Sequence, residues 1–476
     1  MKLDGGSKNR ILLIAYHFPP SAAVGGMRMA HFAKWLPSFG WEPYVLTIQD
    51  KNIEHIDQER LRDVEGITIH KVGVRPTVSD MYAAIKTLLY GSPKNASPSE
   101  TGLSLLSGSD PACKESLSRR LKRYILSFVV FPDHVRGWII PAILAAIHRL
   151  RRQRIEWIMT SCPPYSGHLI GLAVKIITGT KWTADFRDPW MTTGSKRMYP
   201  TCAMSIRIES WLEKKVIEKA DLLLFNVERL KNAYRERYAH VPGEKFVFIP
   251  NAIAPRALEE MAPVTKYESF TLSYTGSLYV GRSPEPVFQA ISRLIEEGKT
   301  TPEAVRIKLV GHCRTVEGIP TASLIRKYGL ESSVEVYDPL PYTEAFEIVR
   351  RSHLALLFAP HLPFQIPAKV YDYLGAGVRI LAIAEDGGTS DLICNTGSGR
   401  AFPSEDVEGI KGFIDQEMTC QGLTNRGHSA GLARFDVRRI TEELANYLDR
   451  IATTGAVDAR HSSPPSRPRP RRGSRF

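Results

Sequence analysis

The first fifty residues constrain the fold most. The apolar run "RILLIAYHF" (10–18) ends at Pro19-Pro20, and a loop carrying Gly25-Gly26 follows. "MRMAHFAKWLPSF" (27–39) then sets apolar residues at roughly helical spacing, and Gly40 is a natural helix stop. "EPYVLTI" (42–48) reads as the next strand. Strand, glycine loop, helix and strand in that order form a βαβ unit, the building block of a parallel sheet with helices on both faces.

The alternation continues. "IEWIMTS", "KWTADF", "DLLLFN" and "KFVFIP" read as strands, separated by the helix "GHLIGLAVKIITG" and a long helix near 202–220. A second series starts with "FTLSYTG" and runs through "VRIKLVG", "SVEVYDPL" and "LALLFAP" with helices between them. Two such series in 476 residues predict an α/β protein of two Rossmann-like, doubly wound domains facing each other across a cleft. The expected organisation is a flexible N-terminus (1–9), a first domain (10–250), a linker (251–268) and a second domain (269–437). A last helix (438–453) has no sheet of its own and is expected to pack across the joint. The Ser/Gly/Pro-rich stretch 91–114 reads as a mobile loop, and 454–476 as a disordered basic tail.

Composition narrows the function classes. A hydrophobic fraction of 43% with 24% charged residues is that of a soluble globular protein. The net charge of +13 includes six arginines in the acid-free stretch 459–476, so the rest carries about +7 and no specific nucleic-acid partner is expected. The polar start "MKLDGGSKNR" does not read as a signal peptide, and no apolar run reaches the ~18 residues of a spanning helix. Six scattered cysteines with no C-x-x-C pair fit reduced thiols in a cytoplasm rather than a metal cluster. The basic and apolar run "RRLKRYILSFVVF" (119–131) reads either as a helix packed on the core or as a peripheral contact with the inner face of a plasma membrane.

Ligands of open parallel sheets sit at the carboxyl ends of the strands. There, "IPAKVYDYLGAG" places Lys369 and Asp372 at i, i+3 on one helix. They read either as a surface ion pair or as a cation for a diphosphate beside a carboxylate for ribose hydroxyls. Gly25 and Gly26 precede a helix N-terminus suited to phosphate, with Arg28 in its first turn. "YTGSLYVGR" repeats the arrangement with Gly276 and Arg282; that arginine reads as a diphosphate fork or a solvated loop residue. "TADFRDPWM" sets Asp185, Arg187, Asp188 and Trp190 at a strand end, as site groups or a structural ion pair. His168, at a helix start, reads as a catalytic candidate or as a capping residue.

Together "AYHFPPSAAVGGMRMAHFAKWLPSFGWEPYVLT", "TSCPPYSGHLIG", "ADFRDPW", "FIPNAI", "YTGSLYVGR" and "KVYDYLGAGVRILAIAEDGG" resemble the retaining glycosyltransferases of family four, of the GT-B fold. The resemblance spans roughly residues 10–450. It implies transfer of a sugar from a nucleotide-sugar donor to a glycan or lipid-linked acceptor, of the bacterial surface-polysaccharide type, with neither cofactor nor metal. The family's paired glutamates fall on Phe364 and Asp372, and a family histidine near the transferred sugar falls on Arg187, with Asp188 next. The family's diphosphate arginine falls on Arg282; the lysine expected shortly after it is missing, and Lys369 stands as its substitute. The resemblance therefore implies catalytic roles for Arg187, Asp188 and His168. Gly25, Gly26, Arg28, Gly276, Arg282, Lys369 and Asp372 would bind the donor. A nucleotide-sugar epimerase and a non-catalytic nucleotide-sugar-binding protein are the alternatives.

Overall fold

The chain is described by a computed structural model covering residues 9–77, 124, 131–191, 202–253, 264–279, 281–419 and 432–461. The stretch read as a mobile loop (91–114), most of the run 119–131, the middle of the linker and the tail beyond 461 lie outside these residues.

The first domain is built on strands β1 (Asn9–Ile14), β2 (Trp41–Ile48), β3 (Thr68–Val72), β4 (Trp157–Cys162), β5 (Lys181–Phe186), β6 (Leu222–Phe225) and β7 (Phe246–Phe248). Every pairing is parallel, in the order β3-β2-β1-β4-β5-β6-β7. Because side chains alternate along a strand, β1 feeds two cores. Leu12 and Ile14 pack with Trp138, Ala142 and Ala146 on one face, and Ile11 and Leu13 with Met29 and Phe32 on the other. All four β1 side chains are fully buried, as strands covered on both faces require.

The second domain carries β8 (Phe270–Thr275), β9 (Val305–Val310), the short hairpin β10 (Thr315–Val316) and β11 (Ile319–Pro320), then β12 (Val334–Tyr337), β13 (Leu354–Phe358), β14 (Arg379–Ile383) and β15 (Gly399–Phe402). Its parallel sheet runs β12-β9-β8-β13-β14-β15. In each sheet the chain starts near the middle, builds one side, and crosses back to build the other. The reversal falls between β1 and β4 in the first sheet and between β8 and β13 in the second. Crevices for ligands open at these switch points. The loops after β1 and β8 hold Gly25-Gly26 and Gly276, so the glycines singled out in the sequence stand there.

The closing helix, Val437–His461, starts one residue before the expected point and continues past 453 through residues assigned to the tail. Asp436 caps it, its Oδ1 accepting from the backbone N–H groups of Arg438 (2.9 Å) and Arg439 (3.1 Å). Ile440, Leu444, Ala445 and Leu448 then complete the core beneath Ile11 and Leu13, so the helix leaves the second domain and packs on the first. Trp41 Nε1 donates to Asp449 Oδ1 at 2.9 Å on the same face. Among the described residues no helix is long and apolar enough to cross a membrane.

Candidate functional site

On the second-domain wall, β8 runs directly into Gly276, whose φ of 137° belongs to glycine's region of backbone space. A Cβ there would collide with Lys369 Nζ, and one at Gly311 (φ 123°) would collide with the Gly276 carbonyl. The two glycines thus let the loops after β8 and β9 close around a lysine head. Lys369 opens the helix Lys369–Gly375, donates to the Thr275 carbonyl and stands 4.2 Å over the Tyr274 ring. Burial, with Arg282 nearby, pulls its pKa from 10.5 down to about 7. Arg282 lies 4.1 Å from the Tyr279 ring centre and has no carboxylate partner among the described residues. Arg282 and Lys369 thus stand as neighbouring basic side chains at the end of β8.

Asp372, one turn along the helix, acts on Lys369 electrostatically but takes its hydrogen bond from another element. Its Oδ1 accepts from Tyr342 Oη at 3.0 Å, and burial raises its pKa to about 6. Arg60 of the first domain acts on it electrostatically. Lys369 and Asp372 are therefore not the simple surface ion pair that their spacing allows.

On the first-domain wall, Arg187 knits loops together. Its Nη1 donates to the Gly25 carbonyl at 2.7 Å, Nε to the Cys162 carbonyl at 3.2 Å, and Nη2 to the Pro163 carbonyl. A Cβ on Gly25 would meet Nη1, and one on Gly26 the His17 backbone, which is why this turn carries two glycines. Asp188 reaches Gln365 of the second domain with its carboxylate, and burial raises its pKa. Asp188 thus meets the second domain, while the Arg187 guanidinium is committed to backbone oxygens of the first.

Two expectations are corrected. Arg28 is not free for a phosphate: it is 7% exposed, and Nε donates to Asp185 Oδ1 at 3.0 Å. Its Nη1 and Nη2 donate to the Pro250 carbonyl (2.7 Å) and the Ile249 carbonyl (2.9 Å). The residue bolts the first helix to the domain joint, and Asp185 is its buried structural partner. His168 is not positioned for catalysis either. It is fully buried, with Nδ1 2.9 Å from Thr160 Oγ1 and its ring 4.5 Å from that of Phe186. Burial, then the charge of Arg187, lowers its pKa to about 3, so it is a neutral packing residue.

The sequence matches no family model and no curated protein. Solved structures do match, over nearly the whole chain. HepE from Anabaena, crystallised with UDP, superposes with a TM-score of 0.58 at 14% identity, covering 93% of this chain and all (100%) of that one. A glycosyltransferase from Rickettsia africae gives 0.56 at 13% identity (94% and 99% covered). Sucrose-phosphate synthase from Thermosynechococcus elongatus gives 0.54 at 13% (95% and 99% covered). The fold is GT-B.

Several residues around these loops carried no signal in the sequence. His17, three residues beyond β1, has its pKa lowered to about 4 by burial, then by Arg187 and His134, so its imidazole is neutral. Gln365, Tyr342 and Arg60 enter the site only through contacts across distant segments. Phe364, where the resemblance aligns a glutamate, packs against the first domain's core. Arg229 spans the GT-B lobes: Nη1 and Nη2 donate to the two Asp386 oxygens at 2.7 Å each, and Nη2 and Nε to Asp391. Among the described residues no group of three His, Cys, Asp or Glu side chains is placed to hold a metal.

Proposed function

We propose that the chain is a glycosyltransferase that moves a sugar from a nucleoside-diphosphate sugar to a glycan or lipid-linked acceptor, with retention at the anomeric carbon and without a metal. The observation that carries this reading is the pair Arg282 and Lys369 beside Gly276, two neighbouring basic side chains with no carboxylate hydrogen bond among the described residues, at the switch point of the second sheet. A diphosphate leaving group gathers charge as the glycosidic bond breaks, and preorganised cations in a half-buried site stabilise that charge where it develops. Asp372 accepts from the ribose hydroxyls. Asp188, held by Gln365, orients sugar or acceptor, and the Gly25-Gly26 turn, braced by Arg187, shapes the wall opposite the diphosphate. Phe364 leaves no carboxylate at that position, which favours attack by the acceptor hydroxyl on the face the diphosphate departs from. HepE, with structures bound to UDP and to UDP-glucose, shares the fold and supports a nucleotide-sugar donor. The family resemblance supports surface-polysaccharide assembly in the cytoplasm, with peripheral contact at the inner membrane face.

A second reading, donor binding without transfer, is favoured by the apolar Phe364 and by the commitment of Arg187 to backbone carbonyls. One experiment separates them. The protein is incubated with a panel of labelled nucleotide sugars, with and without glycan and lipid-phosphate acceptors. Acceptor-dependent release of nucleoside diphosphate supports transfer. Calorimetric binding with no turnover in any combination supports the second reading, and neither binding nor turnover refutes both.

A further inference from the structure

Two contacts fasten the helix Lys369–Gly375 to the end of β8: Lys369 Nζ donates to the Thr275 carbonyl, and Tyr373 Oη accepts from the Thr275 N–H at 3.3 Å. The helix Tyr342–Arg351, which follows a short turn after β12, packs beside it. Phe346 and Val349 of that helix share a buried cluster with Val370, Tyr373 and Leu374. Phe346 in turn carries Tyr342, one turn back, with the rings stacked 5.7 Å apart and 10° from parallel. The Tyr342 ring is therefore held in place although the residue is exposed, and its hydroxyl donates to Asp372 Oδ1 at 3.0 Å.

That hydrogen bond sets the carboxylate. Among the described residues Asp372 forms no ion pair: Lys369 on its own helix and Arg60 of the first domain act on it only electrostatically. Oδ1 is engaged by Tyr342, and Oδ2 accepts no hydrogen bond among the described residues. A carboxylate free to turn presents whichever oxygen fits, and serves a lone hydroxyl about as well as a pair. One pinned at Oδ1 offers a single oxygen in one place, and two adjacent hydroxyls converge on it with no further ordering cost.

We propose that Tyr342 is a positioning residue: by holding Asp372 Oδ1 it sets Oδ2 to accept from the vicinal 2′- and 3′-hydroxyls of ribose, so that the donor is a ribonucleoside diphosphate sugar rather than a deoxyribonucleoside one. The inference rests on the donor reading of this wall and narrows the substrate class of the same site.

The full chain is titrated by calorimetry with UDP, GDP and ADP, with the matching 2′-deoxynucleotides, and with inorganic pyrophosphate. Expected is a preference of about tenfold for the ribonucleotide, the lower end for one hydrogen bond to a charged group. Tyr342→Phe keeps the ring stack and deletes the hydroxyl. It should bring the two nucleotides within roughly threefold of each other and leave pyrophosphate, which has no ribose, unchanged. The pH profile moves with it. The hydroxyl favours the ionised carboxylate, as Lys369 and Arg60 do, against the effect of burial. Without it Asp372 keeps its proton to higher pH, so the acid limb of ribonucleotide binding rises by roughly half a pH unit; the ligand's own titration is common to both proteins and cancels. In an Asp372→Asn background Tyr342→Phe should change neither readout. Equal wild-type affinity for the ribo- and deoxyribonucleotide overturns the proposal. So does Tyr342→Phe that leaves the preference and the acid limb in place, with the donor reading then still standing, or that weakens pyrophosphate as much as the ribonucleotide. A wild type that binds none of the nucleotides overturns the donor reading and this inference with it.

Discussion

Replacing Arg28 with methionine separates a structural arginine from a phosphate-binding one. The substitution keeps an apolar stem and deletes the fork. Asp185, fully buried, would keep only the hydrogen bond from Ser161 Oγ at 2.7 Å, and the carbonyls of Ile249 and Pro250 would lose their charged donors. Removing one partner of a buried ion pair costs about 3–5 kcal/mol, most of it from the charge left behind. Arg28→Met/Asp185→Leu, which removes both charges, should therefore be less damaging than Arg28→Met alone. The assay is urea unfolding followed by tryptophan fluorescence. All seven tryptophans lie between Trp35 and Trp211, so the signal reports the first domain. Calorimetry with a nucleoside diphosphate on the folded fraction completes it. A stability loss below ~1 kcal/mol, or a tenfold drop in diphosphate affinity (~1.4 kcal/mol) at an unchanged urea midpoint, would refute the bolt and restore a donor contact.

The pKa of Lys369 near 7 has a thermodynamic signature. A diphosphate favours the ammonium form, so binding above pH 7 takes up a proton, and affinity falls as pH rises through that value. Below about 6, Asp372 becomes protonated and loses acceptor capacity for ribose, giving the acid limb of the profile. Calorimetry at pH 8 in two buffers of different ionisation enthalpy measures the uptake, and Lys369→Arg should abolish it. Gly276→Ala forces a side chain onto Lys369 Nζ at positive φ, and should cost ~1–3 kcal/mol of stability together with diphosphate affinity; wild-type calorimetric affinity would contradict the packing described. Arg229→Ala should broaden the interlobe distance distribution between spin labels and weaken donor binding a few-fold, with high salt mimicking it in the wild type. An unchanged distribution would mean that the clasp does not set the spacing.

The fold was largely legible because it repeats one local rule. Apolar strands of three to eight residues, glycine at their ends and helices between them specify parallel sheets without long-range information. The second-domain candidates were singled out for the same reason: Gly276, Arg282, Lys369 and Asp372 all lie within a few residues of a strand end or helix start. Arg28 and His168 misled because their partners are distant or hidden. Pro250 lies 222 residues from Arg28, and the aromatic shell of His168 is assembled from separate strands and loops. Local pattern locates a crevice; which side chains reach into it is decided by contacts that periodicity does not encode.

The last helix completes the core of the domain made first. Until Ile440, Leu444 and Leu448 have emerged from the ribosome, Ile11, Leu13 and Phe32 lack their cover, so the amino-terminal lobe waits through synthesis of the whole carboxy-terminal one. Nascent chains stalled before Val437 should accordingly recruit chaperones, and a stop codon at the domain joint should yield insoluble protein rather than a free lobe.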